Sequence, residues 1–235
     1  MMKVLLAVER MKMKRKGFWL LTVLGPFGVV AMQMVNYGVR KDWLFEQSND
    51  DWGYYLANVH SFTPLALMLG ITILTSLMTS VENETNAWKQ LLALPVSKGK
   101  VYFAKFITLA FLLLISSMLL FVFALAYGIF LDLGNDIAIQ VLIEISFYPY
   151  FAALPLLALQ LWIATVSQNQ GIPITTGVLL TILVLSPNWP IWVFWSWPML
   201  MNDWNEPLIN AGLGVAAGFL LYLTGMLDFM RRDVK

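Results

Sequence analysis

Between Ile145 and Asn202 the chain carries no Asp, Glu, Lys or Arg, and a second charge-free run extends from Phe106 to Leu131. Both runs exceed the roughly 20 apolar residues that cross a bilayer. With 59% of its 235 residues hydrophobic and only 12% charged, the chain has too little charge to solvate a water-soluble globule. A soluble enzyme and a nucleic-acid-binding domain are therefore excluded. The continuous apolar runs also exclude a membrane β-barrel, whose strands alternate lipid-facing and lumen-facing residues over about ten positions. Cysteine is absent, which removes disulfides, thiolate metal sites and cysteine nucleophiles together.

The expected fold class is an all-α integral membrane protein, with residues 1–235 forming one transmembrane domain. Uncharged blocks predict six spans, near residues 17–38, 61–81, 104–131, 138–166, 171–188 and 207–227. The block from 138 to 188 is too long for one crossing, and the polar stretch Ser167 to Gly171 followed by Pro173 supplies a turn. Pro149 and Pro155 predict a kinked or split fourth span. At the N-terminus, the apolar stretch Val4 to Val8 is too short for a secretory signal and runs into Glu9, Arg10 and a basic cluster. Residues 1–16 read instead as a cytoplasmic amphipathic helix.

The net charge of +1 hides an asymmetry. Lys3, Arg10, Lys12, Lys14, Arg15 and Lys16, then Lys89, Lys98, Lys100 and Lys105, then Arg231, Arg232 and Lys235 all fall on one side of a six-span arrangement. Only Arg40 and Lys41 fall opposite. By the positive-inside rule both termini are cytoplasmic. The other side is acidic, with Asp42, Glu46, Asp50, Asp51, Asp132, Asp136, Asp203 and Glu206, and it holds seven of the ten tryptophans. An aromatic belt explains part of that bias. Residues 188–206 contain Trp189, Trp192, Trp195, Trp197 and Trp204, interrupted by Pro190 and Pro198, and read as a short helical or re-entrant outer element.

The most distinctive stretch is the cytoplasmic segment 82–100. At 100° per residue Ala87, Trp88, Leu91, Leu92 and Leu94 form one stripe, with Glu82, Asn86, Lys89 and Gln90 on the other side. Pro95 ends this short amphipathic helix and Ser97-Lys98-Gly99 turns the chain back. A helix this short is marginal alone, so lipid, its own bundle or another protein must cover its apolar face. An acidic start, the run Trp88-Lys-Gln-Leu-Leu-Ala-Leu-Pro-Val-Ser97, and Lys105 entering a span resemble the loop between spans two and three of ABC-2 type permeases. The likeness is greatest to the lantibiotic-immunity and bacitracin-resistance branch. The whole layout, with a basic helix before span one and an interrupted segment before span six, is also similar.

That resemblance implies a coupling helix that contacts an ATPase subunit through Glu82, Glu84, Trp88, Lys89, Leu91, Leu92 and Pro95, with Trp88 as anchor. It implies ATP and magnesium on separate ATP-binding subunits, a second permease copy or related permease, and an amphipathic antimicrobial peptide as cargo in a bacterial cytoplasmic membrane. The chain itself has no Gly-x-x-x-x-Gly-Lys-Ser/Thr loop, so no ATP hydrolysis, cofactor or metal is expected on it.

Independently of family, the acidic, tryptophan-rich outer face suits a cationic amphipathic peptide. Asp50, Asp51, Trp192, Trp195, Asp203 and Glu206 are the candidate substrate contacts. Glu144 joins them as the one ionisable residue expected within the membrane. The lone histidine, His60, reads as an interfacial residue rather than a metal ligand or triad member. Gln33, Asn36, Thr72, Thr75, Ser76, Ser116, Ser117 and Gln160 are expected chiefly to hydrogen-bond across helices, or else to line a route. Gly214 and Gly218 form a small-residue face suited to close helix contact, within the subunit or across a permease dimer. The alternatives to peptide export are a permease for a lipid, glycan or drug, and a membrane scaffold without transport; sparse catalytic side chains disfavour a membrane enzyme.

Overall fold

The computed structural model describes residues 2–14, 16–84, 97–134, 136–167, 169–185 and 189–231, without the side chains of 83 and 84. Among these residues the regular structure is helical: α1 (Met2–Met13), α2 (Phe18–Phe45), α3 (Asp51–Glu84), α4 (Lys98–Phe130), α5 (Ile139–Ala152), α6 (Leu154–Val166), α7 (Gly171–Val184), a 3-10 turn at Trp197–Met199, and α8 (Pro207–Arg231). Five apolar helical stretches are long enough to cross a membrane: α2, α3, α4, α5 with α6, and α8. The expected fifth span differs: α7 has 14 residues, about 21 Å at 1.5 Å per residue, short of the roughly 30 Å hydrocarbon layer.

α3 is the hub. Its Met68, Ile71, Leu74 and Met78 meet Leu109 and Leu112 of α4, Leu157 and Leu161 of α6, Val184 of α7 and Phe229 of α8 in one buried cluster. Its Tyr55, Leu56 and Val59 join Val29, Val30 and Tyr37 of α2, Leu120 and Ala124 of α4, and Leu142 of α5 in a second. The N-terminus of α3 is closed by Asp50, whose carboxylate accepts from the Gly53 amide at 2.9 Å, the usual role of an N-cap aspartate.

The predicted break in the fourth span lies at Ala153, between α5 and α6, with Pro155 in the first turn of α6. Proline suits that position because its missing N–H is an orphan there anyway. Pro149 is accommodated inside α5. α8 lies along this break, presenting Asn210, Ala211, Gly214, Gly218, Tyr222, Gly225 and Phe229 as one buried stripe. A Cβ on Gly214 would strike the backbone of Phe151 and Ala152, and one on Gly218 would come within 2.8 Å of Leu154 Cβ. The small-residue face is thus filled by the chain's own broken span, the within-subunit contact of the two that the spacing allowed.

Two of the span hydroxyls also depart from expectation. Thr72 and Thr75 donate to carbonyls one turn earlier, Met68 O at 2.8 Å and Ile71 O at 2.7 Å, which satisfies them within α3. Gln33 does cross, donating to Asn58 O at 3.1 Å, and Gln160 crosses to Pro173 O.

Candidate coupling site

The N-terminal helix sets the geometry of the basic end. Leu5, Glu9 and Met13 recur every four residues and form the buried stripe of α1, while Lys3, Arg10 and Lys14 face outward. Leu5 packs on Val101 and Ala104 in the first turns of α4. Gly17, at φ 79°, then turns the chain into α2 through a left-handed conformation that glycine adopts without Cβ strain.

Glu9 therefore points into the bundle, where it meets three other charges. Lys12 of α1 donates to Glu9 Oε1 at 2.9 Å and to Glu82 Oε1 of α3 at 2.8 Å. Lys105 of α4 reaches Glu9 Oε2 at 3.5 Å, pairs with Glu82, and lies 3.4 Å from Met78 O. The side chains of Glu82 and Lys105 are 0% exposed. Two acids and two bases thus pair with one another, three of them buried and Lys12 at the partly exposed edge, the condition under which buried charges persist. Burial opposes the charge on Lys12, but Glu9 and Glu82 outweigh that penalty and hold its ammonium above the ordinary 10.5.

The position of this cluster gives it functional weight. Glu82 stands one turn or less from the end of α3, and Lys105 two turns into α4, so the pair joins the helices that flank residues 85–96. Trp88, Lys89, Leu91, Leu92 and Pro95 of the expected coupling segment lie outside the described residues, as does the side chain of Glu84. Glu82 itself is corrected: it belongs to the last turn of α3 and its carboxylate is committed to the bundle interior. Glu144, placed by the sequence within or near the membrane, is half-buried, and the buried ionisable side chains among the described residues include Glu9, Glu82 and Lys105. Glu9 and Lys105 went unrecognised in the sequence, although an acid on the apolar stripe of α1 and a lysine between Ala104 and Phe106 carried the signal.

The outer end is built differently. Trp52 donates its indole N–H to Gly134 O at 3.1 Å and lays its ring on Gly128. Residues 189–200 fold into successive tight turns on the bundle: His60 meets Met199 O at 3.1 Å, Trp197 donates to Ile191 O at 2.6 Å, and fully buried Asn210 donates to Trp197 O and Met201 O. Among the candidate substrate contacts, Trp192, Asp50, Asp203 and Glu206 are exposed, with Trp192 at 76%. Asp51 is half-buried, as is Glu144, which accepts from Gln140 at 3.0 Å. Trp195 departs from expectation: it packs edge-on against Trp189 and Phe194 over the core and is not an open surface ring.

Among the described residues no group of His, Cys, Asp or Glu is arranged to hold a metal ion. A family model described as "ABC-2 family transporter protein" matches residues 5–184, the stretch from α1 to the end of α7. No curated protein and no solved structure matches the chain.

Proposed function

The chain belongs to the ABC-2 transporter family, and on that premise we propose that it is the permease subunit, with α7 as a short fifth of six crossings, of an exporter that expels amphipathic antimicrobial peptides from a bacterial cytoplasmic membrane. It is a multi-pass membrane protein of a family whose permeases normally work with ATP-binding subunits. In this reading ATP and magnesium sit on those subunits, both termini are cytoplasmic, and two permease copies form the translocation unit.

The observation that carries the reading is the cluster of Glu9, Lys12, Glu82 and Lys105 at the helix ends that flank residues 85–96 in the chain. A segment that receives a push from an ATPase must pass it to the spans without flexing at its root. Paired, desolvated charges tie the end of α3, the start of α4 and α1 into one unit. Closure of the ATPase pair would displace the segment around Trp88, and this unit would rock one permease half against the other. A buried aromatic anchor such as Trp88 is the kind of residue that dominates interface energies. The exposed outer Asp50, Trp192, Asp203 and Glu206 support a cationic amphipathic cargo.

The test is co-purification with ATP-binding subunits, followed by Trp88→Ala. Complex yield and peptide-stimulated ATP turnover are expected to fall together. Recovery of the intact chain with no ATP-binding subunit attached would overturn the reading.

A further inference from the structure

Within the bundle α2, α3, α4 and α5 surround a cavity of about 30 Å³, partly open at its flank. Pro26, Thr63, Ser116, Ser117, Ser146 and Pro149 supply its polar and helix-weakening wall, and no lining residue is charged. Ser146 is 1% exposed and its hydroxyl has no hydrogen-bond partner among the described residues. Thr63 donates to Val59 O at 2.9 Å, which leaves its oxygen able to accept.

The prolines add acceptors one turn away from the lining residues. Pro26 and Pro149 have no N–H, so the carbonyls of Thr22 and Ile145 lose the donor that an α-helix supplies four residues on. Pro64, beside Thr63 in α3, does the same to the carbonyl of His60. Lipid tails cannot replace those bonds, and such gaps in membrane helices are closed by hydroxyls, neighbouring helices or ordered water. What the wall asks for is a small neutral molecule that both donates and accepts. The absence of any carboxylate there leaves a cation uncompensated, and an apolar chain would leave Ser146 unsatisfied.

We propose that this cavity is a binding site for one or two water molecules that bridge Ser146 and its neighbouring hydroxyls to the backbone around Pro26 and Pro149. Buried waters of this kind take two to four polar partners and are costly to remove. The site stands independently of the transport reading, since it follows from the hydroxyls and prolines of the chain alone.

Radiolytic hydroxyl-radical footprinting of the full chain in lipid nanodiscs tests it, because radicals form where water is bound. Tyr150, which lines the cavity, is expected to be modified several-fold faster than Tyr222, which is equally enclosed by protein but packed among aromatic rings. That excess should be lost in Ser146→Val and kept in Ser146→Thr. Equal rates at Tyr150 and Tyr222 in the unaltered chain would overturn the proposal. So would an undiminished Tyr150 rate in a Ser146→Val protein whose unfolding temperature matches the parent. Ser117→Ala serves the same comparison if Ser146→Val does not fold.

Discussion

Lys105 and Glu82 define the residue scale, because each is fully enclosed and each depends on the other. Removing Lys105 leaves Glu9 and Glu82 with only Lys12 to balance them in a low-dielectric interior, so Lys105→Met is expected to cost about 3–5 kcal/mol in a detergent unfolding titration. Glu82→Leu combined with Lys105→Leu should recover much of that loss, since well-packed apolar pairs replace buried ion pairs with little penalty. Lys12 gives a pH signature. Its pKa is raised on folding, so its contribution is complete below 10.5 and is lost as pH climbs through the raised value. The stability gap between the parent and Lys12→Met should stay constant across the neutral range and close only in strong alkali. These four charges were visible in the sequence as charges but not as a cluster. Lys12 and Lys105 read as topogenic, because the rule that sets orientation counts lysines without asking which of them meet an acid from a distant helix.

At the scale of the element, α8 and the broken span were read correctly in part. The Gly214-x-x-x-Gly218 spacing marks a face for close approach, and Pro155 marks a helix start. Spacing does not say which surface approaches. The answer is the backbone at Phe151, Ala152 and Leu154, where α5 ends and α6 begins. Because backbone cannot step aside as a side chain can, Gly214→Leu should lower stability by about 1–3 kcal/mol or more, read as a falling thermal midpoint of the detergent-purified chain. The outer aromatic segment carries a similar lesson. Its composition predicts an ordered interfacial element, and Asn210 of α8, with bonds to Trp197 O, Met201 O and Asn202, is what holds it down. Asn210→Leu should release that segment, seen as faster proteolysis between residues 189 and 206 while α8 remains intact.

For the whole molecule, the basic residues of α1, of the start of α4 and of the end of α8 gather at one end of the bundle, while Arg40, Lys41 and the acidic residues Asp50, Asp203 and Glu206 lie at the other. The absence of native cysteine makes the sidedness directly measurable. Single cysteines placed at Lys14 or Lys100 should resist a membrane-impermeant maleimide in intact cells, and cysteines at Asp50 or Asp203 should react; the opposite pattern would reverse the orientation. Replacing Asp50, Asp51, Asp203 and Glu206 together with Asn should weaken protection against a cationic peptide, with unchanged protection removing that cargo.

The sequence by itself determined that the chain is helical and membrane-embedded, where its long apolar runs lie and how its charge divides between two ends, because the bilayer's cost for polar groups is written locally in every window of about 20 residues. Only the tertiary structure decided which surfaces those helices share. Glycines suited to close contact within the subunit or across a dimer meet the chain's own backbone, threonines expected between helices are satisfied within them, and a glutamate expected on a cytoplasmic loop is buried against two lysines. Each of those outcomes depends on a partner far away along the chain, and the periodicity of a single helix reports which face is apolar without naming what will cover it.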